Sequence, residues 1–142
     1  LINKNLNGSG KILVVADYYR IYQVLKNLVT NAIKYSDQHT SVTILIKKRK
    51  KVATIEVNDQ GKGIAKNHRK RVFERFYRIE KSRSKERGGT GLGLAISKHI
   101  IEGHQTRIKL KSKVDFGSTF SFNLKLLPKK IKKRQKIAQT LN

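Results

Sequence analysis

Residues 88–94 read Gly-Gly-Thr-Gly-Leu-Gly-Leu and continue directly into Ala-Ile-Ser-Lys-His-Ile-Ile at 95–101. A glycine cluster that opens an amphipathic helix is typical of an anion site, because free backbone N–H groups and the helix dipole face the incoming charge. A Walker loop is excluded because Leu94 stands where Lys is needed. A dinucleotide fingerprint is excluded because the polar run 81–87 precedes the glycines and Ile96 replaces the third glycine. The stretch predicts a phosphate site of a third architecture.

Length and composition indicate one globular domain. The chain has 142 residues, 37% of them hydrophobic, which is enough for a proper core. It has no apolar run near the length of a membrane span. It has no Cys, which excludes disulfides and thiolate metal sites and fits a reducing compartment. Because it begins with Leu1 and not Met, we expect a piece of a longer protein.

The charge of the chain is extreme, with 33 Lys and Arg against 9 Asp and Glu, a net charge of +24. Such a surface suits a polyanion or an anionic membrane, or it is simply solvated. Few aromatic residues alternate with the charges, so a stacking platform for single strands is not indicated. We do not expect nucleic-acid binding as the main function.

Hydrophobic periodicity predicts an α+β fold. We expect an 11–127 domain between a 1–10 linker and a basic 128–142 tail, as a two-layer α/β sandwich with a mixed, mostly antiparallel five-stranded sheet covered on one face by three helices. The expected strands are 11–15, 42–46, 52–57, 106–112 and 118–126, with a charged hairpin tip at 47–51. The expected helices are 18–35, which Asp17 caps, then 65–76 and 92–103, with a long polar loop at 78–89.

The first long helix carries an unusual polar stripe. Asn27 and Asn31 are four residues apart and share a face, and Lys34 and Tyr35 continue along that side. An amide oxygen suits Mg²⁺, a lysine suits phosphate, and a tyrosine ring can cover a base. Ordinary solvent-facing polar residues are the alternative interpretation.

A carboxylate follows the third predicted strand. Asp59 precedes Gly61 and Gly63, so it can accept a hydrogen bond from a ligand amine while the glycines let the backbone approach closely. An ordinary turn explains the same residues. The four histidines show no metal-ligand spacing and no catalytic arrangement; they are His39, His68, His99 and His104.

Taken in order, these motifs resemble the catalytic ATP-binding domain of bacterial sensor histidine kinases. That family belongs to the wider Bergerat-fold ATPase group, which includes DNA gyrase, mismatch-repair proteins and chaperone ATPases. The resemblance covers about residues 11–127. Its segments are the N box at 23–36, the first glycine box at 58–64, the F box at 72–78, the second glycine box at 88–94 and a closing strand motif at 117–120.

The resemblance implies roles on the helix and in the loops. Asn31 would coordinate Mg²⁺, with Asn27 supporting the phosphates or the metal. Lys34 would contact phosphate and Arg78 would reach the γ-phosphate, so that Asn31, Lys34 and Arg78 form the catalytic set. Tyr35 would pack against adenine.

The resemblance also implies an adenine pocket and a lid. Asp59 would accept the adenine amino proton, assisted by Thr119, and residues 78–89 would form the lid. The full set of expected nucleotide contacts is Asn27, Asn31, Lys34, Tyr35, Asp59, Gly61, Gly63, Ile64, Gly89, Thr90, Gly91, Leu92, Gly93, Leu94 and Thr119.

The implied reaction is transfer of the γ-phosphoryl group of Mg-ATP to a histidine of a separate dimerisation domain, for relay to a response-regulator aspartate. No histidine here has the surroundings of that acceptor. The resemblance implies a cytoplasmic domain of a bacterial inner-membrane protein, monomeric as a fragment and homodimeric as a whole, reaching the membrane only through N-terminal segments outside this chain.

Two features depart from the family pattern, and three other functions stay open. His104-Gln105-Thr106 replaces the frequent His-Gly-Gly, and the basic charge is unusual; it could aid docking to an acidic regulator or the inner leaflet. The open alternatives are a serine kinase of the anti-sigma-factor type, a basic nucleic-acid-binding module and a nucleotide-binding pseudokinase.

Overall fold

A five-stranded sheet forms one layer of the protein. The computed structural model describes residues 11–79 and 89–128, and the backbone of 2–7. The strands are β1 (Ile2–Asn7), β2 (Val42–Arg49), β3 (Val52–Asp59), β4 (Lys109–Lys113) and β5 (Gly117–Lys125). Their order is β1-β2-β3-β5-β4; β1 runs parallel to β2 and the other neighbours are antiparallel. This confirms the mixed, mostly antiparallel sheet.

The two central strands bury one face and leave the other polar. In β3, Ala53, Ile55 and Val57 are buried, and β5 buries alternate residues from Ser118 to Leu124 in the same way. Successive side chains of a strand point to opposite faces, so the residues between them lie on the other side of the sheet. There the Thr54 hydroxyl donates to Asn123 Oδ1 at 2.8 Å. The apolar face is the one that the helices cover.

Two α-helices form the second layer. Helix α1 (Tyr18–Tyr35) begins where Asp17 accepts a hydrogen bond from the Arg20 N–H at 3.0 Å, which confirms the predicted cap. Helix α2 (Gly93–Gly103) packs beside it. Their apolar stripes meet the sheet in one cluster, to which the helices contribute Val24, Leu28, Ala32, Ile100 and Ile101. The two-layer α/β sandwich is confirmed.

The N-terminal strand is not where the sequence places it. The 11–15 segment reaches the sheet only through a bridge between Val14 and Leu126 and through hydrogen bonds beside it, such as Val15 N–H to Lys125 O at 2.8 Å. The fifth strand is β1, which lies within the expected 1–10 linker and pairs with the outer edge of β2. An apolar run predicts burial, but it does not decide which segment completes a backbone ladder.

The prediction of a helix over 65–76 is also wrong. Residues 65–76 form turns and one short 3₁₀ helix, Arg71–Phe73, instead of an α-helix. Tertiary contacts override the periodicity there, because Val72 is buried and Phe73 packs edge to face on Phe120 with ring centroids 6.2 Å apart. The described helices on the sheet are therefore two α-helices and this 3₁₀ helix.

The charged hairpin tip is shorter than expected. Strand β2 runs to Arg49 and β3 begins at Val52, so only Lys50 and Lys51 form the turn. Lys47 lies within β2, and its Nζ pairs with Glu56 Oε2 at 2.8 Å.

Three further features were expected in segments that are not described here. Most of the expected 78–89 lid, Gly88 of the second glycine box and the 129–142 part of the basic tail lie outside the described residues. Of the helices that are described, none combines the length and apolar character needed to cross a membrane.

The helix layer predicts a clear contrast in stability. Leu28 is fully buried, and Ile33 on the same helix is 55% exposed. We expect Leu28→Ala to lower the free energy of unfolding by about 2–5 kcal/mol, because it leaves a cavity in the core. Ile33→Ala should stay within about 0.5 kcal/mol of the original chain. Urea denaturation measures both, and an equal loss in the two variants would contradict the assigned helix face.

Candidate functional site

A cleft of about 640 Å³ opens between the second half of α1, the start of α2 and the adjoining ends of β3 and β5. It brings together most of the residues predicted from the sequence. Those residues are Asn31, Lys34, Tyr35, Asp59, Gly63, Ile64, Arg78, Gly89, Thr90, Gly91, Gly93 and Leu94. The motifs are far apart in sequence, so the fold itself assembles them.

Asp59 is the anchor of one end of the cleft. It is the last residue of β3, and its Oδ1 accepts hydrogen bonds from the Gly61 N–H at 3.0 Å and the Ser118 N–H at 3.1 Å. Burial raises the pKa of this carboxyl above its ordinary value, while the two backbone hydrogen bonds oppose that rise. Within the described part of the chain no hydrogen bond reaches Oδ2, so this oxygen can accept one from a ligand.

The two glycines after Asp59 lie where no side chain fits. A Cβ on Gly61 would lie 2.1 Å from the Tyr35 carbonyl oxygen. Gly63 has a φ of +66°, and a Cβ there would lie 2.0 Å from the Lys113 carbonyl oxygen. The loop is therefore pressed between the end of α1 and the β4–β5 hairpin. Gly61 supports the cleft from behind and does not line it.

Part of the cleft wall is cationic. Lys34 and Arg78 both line it, and they converge on Gly89, where a Cβ would lie 2.7 Å from Lys34 Nζ and 4.0 Å from Arg78 Nη2. Gly91 has a φ of +69°, and its carbonyl accepts a hydrogen bond from the Phe76 N–H at 3.0 Å. This contact holds the F box against the second glycine box.

Asn31 provides a ligand suited to magnesium. This residue is half-buried and lines the cleft, about one helical turn before Lys34 on α1. The described residues contain no group of three or more His, Cys, Asp or Glu that could hold a metal alone. A single amide oxygen near a cationic end fits Mg²⁺ that takes its other ligands from phosphate and water.

Two residues that were expected to contact the nucleotide, Asn27 and Leu92, do not line the cleft. Asn27 Nδ2 donates to the Gly93 carbonyl at 3.1 Å and to Ser97 Oγ at 3.3 Å, so it joins α1 to the first turn of α2 and does not line the cleft. Leu92 immediately precedes α2, and its side chain is not part of the cleft wall. Asn27 thus positions the helix start, which the spacing of the two asparagines could not distinguish from a ligand role.

Thr119 does not lie in the cleft beside Asp59, where it was expected. Its hydroxyl donates to Asn58 Oδ1 at 2.7 Å on the outer face of the sheet, away from the cleft. Ser118 takes the place beside Asp59, directly opposite it in the β3–β5 register. The alternation of β5 could have predicted that Ser118 faces the cleft side of the sheet, because it lies two residues from the buried Phe120 and so on the same face.

Tyr77 is a cleft residue that the sequence reasoning did not single out. Its hydroxyl lies 2.5 Å from His68 Nδ1, and the Arg71 guanidinium carbon lies 4.3 Å from its ring centroid. The wall also contains Thr30, Lys62, Val72, Ser118 and Phe120. The only signal for Tyr77 was its place within the F box at 72–78.

The amino-acid sequence has many relatives among sensor kinases. It is 46% identical over 115 residues to the sensor-like histidine kinase SenX3 of Mycolicibacterium smegmatis, covering 81% of this chain and 30% of that protein. It is 40% identical over 115 residues to the sensor histidine kinase WalK of Bacillus subtilis, covering 80% and 19% respectively. The chain thus spans less than a third of the curated relatives named here.

The fold is similar to that of solved structures as well. The catalytic domain of histidine kinase ThkA superposes with a TM-score of 0.71 at 29% identity, covering 87% of this chain and 78% of that one. Full-length ShkA in complex with AMPPNP gives a TM-score of 0.75 at 25% identity, covering 88% of this chain and 25% of that one.

The family described as histidine kinase-, DNA gyrase B- and HSP90-like ATPase matches residues 16–128, which is most of the chain and includes every cleft residue. The fold, the order of the motifs and this match agree, and the chain belongs to that family as a catalytic ATP-binding domain of the sensor histidine kinase type.

Proposed function

We propose that the cleft binds Mg-ATP and presents its γ-phosphoryl group to a histidine on a separate dimerisation domain of the same protein. The observation that carries this proposal is that the cleft wall combines the Asp59 carboxylate with Lys34, Arg78 and Asn31. A purine with an exocyclic amino group suits the carboxylate, which marks the base end of the cleft, and a polyphosphate suits the cations, which mark its phosphate end. The relatives named as sensor histidine kinases support the same assignment.

At the base end, Asp59 acts as a hydrogen-bond acceptor for the adenine amino group. Its Oδ1 is held by two backbone N–H groups, so the carboxylate is oriented before the ligand arrives. Pre-organisation of this kind lowers the ordering cost of binding. Tyr35 lies 55% exposed on the cleft wall, where its ring can cover the base.

At the phosphate end, charge neutralisation is the main contribution. Lys34 and Arg78 offset the negative charge of the phosphates, and no side chain caps the described start of α2, so its first N–H groups can donate to phosphate oxygens. Asn31 would hold Mg²⁺, and the bound ion would supply positive charge that offsets the charge developing during transfer.

The reaction is in-line displacement by a histidine nitrogen. The bond from that nitrogen to the γ-phosphorus forms as the bond to the β,γ-bridging oxygen breaks, and ADP leaves. Positioning and charge account for most of the catalysis of such a step. None of the four histidines lines the cleft, which supports an acceptor on another domain.

The wider setting belongs to the same proposal. The phosphohistidine passes its phosphoryl group to an aspartate of a response regulator. The chain is the cytoplasmic part of a homodimeric bacterial inner-membrane sensor. The relatives named as sensor histidine kinases support the phosphorelay part of this setting.

Calorimetry with Mg-ADP tests the site. Asp59→Asn should weaken binding about tenfold or more, because it removes a charged acceptor. Asn31→Ala should weaken binding in Mg²⁺, and this loss should vanish in EDTA. Asn123→Ala, which removes an amide from the outer face of the sheet, is the matched control and should bind like the original chain. Equal affinity in all four proteins would contradict the assignment.

The ionised Asp59 carboxylate should also lower the free energy of unfolding. The pKa of this carboxyl is raised in the folded state above the ordinary value of 3.8. Just above pH 3.8 the folded chain therefore binds more protons than the unfolded chain. Stability contributed by this carboxyl is therefore present at low pH and is lost as pH rises through the folded pKa. Asp59→Asn removes the buried charge, so its stability relative to the original chain should improve between pH 4 and pH 7. Urea denaturation at both pH values measures this, and a relative stability that is constant or falls would contradict it.

A further inference from the structure

Two serine hydroxyls lie beneath the base end of the cleft. Ser112 on β4 and Ser118 on β5 are opposite each other in register, with their Oγ atoms 3.0 Å apart. Ser118 is only 8% exposed and lines the cleft next to Asp59. Ser112 lies behind it and is not part of the cleft wall.

The hydrogen bonds of Ser112 decide which hydroxyl donates. Its Oγ accepts from the Ile64 N–H at 2.7 Å and donates to the Gly117 carbonyl oxygen at 2.9 Å. A carbonyl oxygen only accepts and an amide N–H only donates, so the single Ser112 proton is used on Gly117. The hydrogen bond between the two serines must therefore use the proton of Ser118.

Ser118 consequently offers only lone pairs to the cleft. The Asp59 carboxylate beside it, when ionised, also only accepts. We propose that Ser112 is a positioning residue that sets base specificity, because it takes the Ser118 proton and leaves the base end with acceptors alone. This inference rests on the proposed nucleotide function and deepens it.

The consequence is a preference at position 6 of a purine. Adenine carries an amino group there and can donate to these acceptors. Hypoxanthine carries an oxo group, which would face acceptors without a donor, and an unmet polar contact of this kind is a strong source of discrimination. Without Ser112, the Ser118 hydroxyl could turn and donate to the oxo group.

Binding of ADP and of inosine diphosphate (IDP), measured by calorimetry, tests this proposal. We expect the original chain to prefer ADP, and Ser112→Ala to reduce the ADP-over-IDP preference about threefold to tenfold. If Ser112→Ala acted only through loss of the Ile64 hydrogen bond, it would weaken the binding of ADP and IDP by the same factor and leave their ratio unchanged. Ser121→Ala removes the same hydroxyl from the outer face of β5 and should leave the ratio unchanged.

A double variant separates positioning from support. In a Ser118→Ala background, adding Ser112→Ala should not change the ratio further, because Ser112 acts through the Ser118 hydroxyl. Ser112→Cys, which keeps the size of the side chain with only weak hydrogen bonding, should shift the ratio in the same direction as Ser112→Ala and serves if that variant fails to fold.

The outcomes distinguish the two proposals. If the original chain binds neither nucleotide, the proposed function fails. If it binds ADP but Ser112→Ala and Ser112→Cys leave the ratio unchanged, or if Ser112→Ala shifts it equally without the Ser118 hydroxyl, Ser112 is purely structural and this inference is overturned.

Discussion

The two backbone hydrogen bonds to Asp59 Oδ1 are the constraint on which the site depends. They tie the end of β3 to the glycine loop through Gly61 and to β5 through Ser118. The contact leaves no spare room, because a Cβ on Gly117 would lie 2.0 Å from the Asp59 carbonyl oxygen. One carboxylate is thus a structural junction and, in the proposed function, also a ligand acceptor, so its burial would be a cost that the fold bears for function.

In the proposed function the cleft combines two kinds of recognition. The base end would discriminate by hydrogen bonding, because Asp59 and Ser118 present acceptors there. The phosphate end would rely on cations and helix N–H groups, which attract charge without distinguishing one polyphosphate from another. A net charge of +24 would favour a polyphosphate in a salt-dependent way. Asn27 connects the two α-helices by holding the start of α2 against α1.

Periodicity and motif order were sufficient for the long elements and for most of the cleft. Helix α1, its Asp17 cap and the β3 and β5 strands follow from apolar spacing. Roles that depend on partners distant in sequence could not be read in this way. Asn27 and Asn31 have equivalent positions on one helix face until α2 is placed. Ser118 differs, because the alternation of β5 could have assigned it instead of Thr119 to the buried face, and only its pairing with Asp59 needed the structure. The prediction of a helix over 65–76 failed because the contacts of Phe73 with the sheet outweigh the local preference for a helix.

Hydrogen–deuterium exchange with and without Mg-ADP tests most directly whether the nucleotide lies between Asp59 and the start of α2. The account predicts slower exchange at the amides of the 59–64 loop and the first turn of α2 when Mg-ADP is saturating, because these groups border the cleft or donate to phosphate. The β2–β3 turn at Lys50 and Lys51 should not change. Unchanged exchange in the loop and the helix start, or protection confined to the β2–β3 turn, would contradict it.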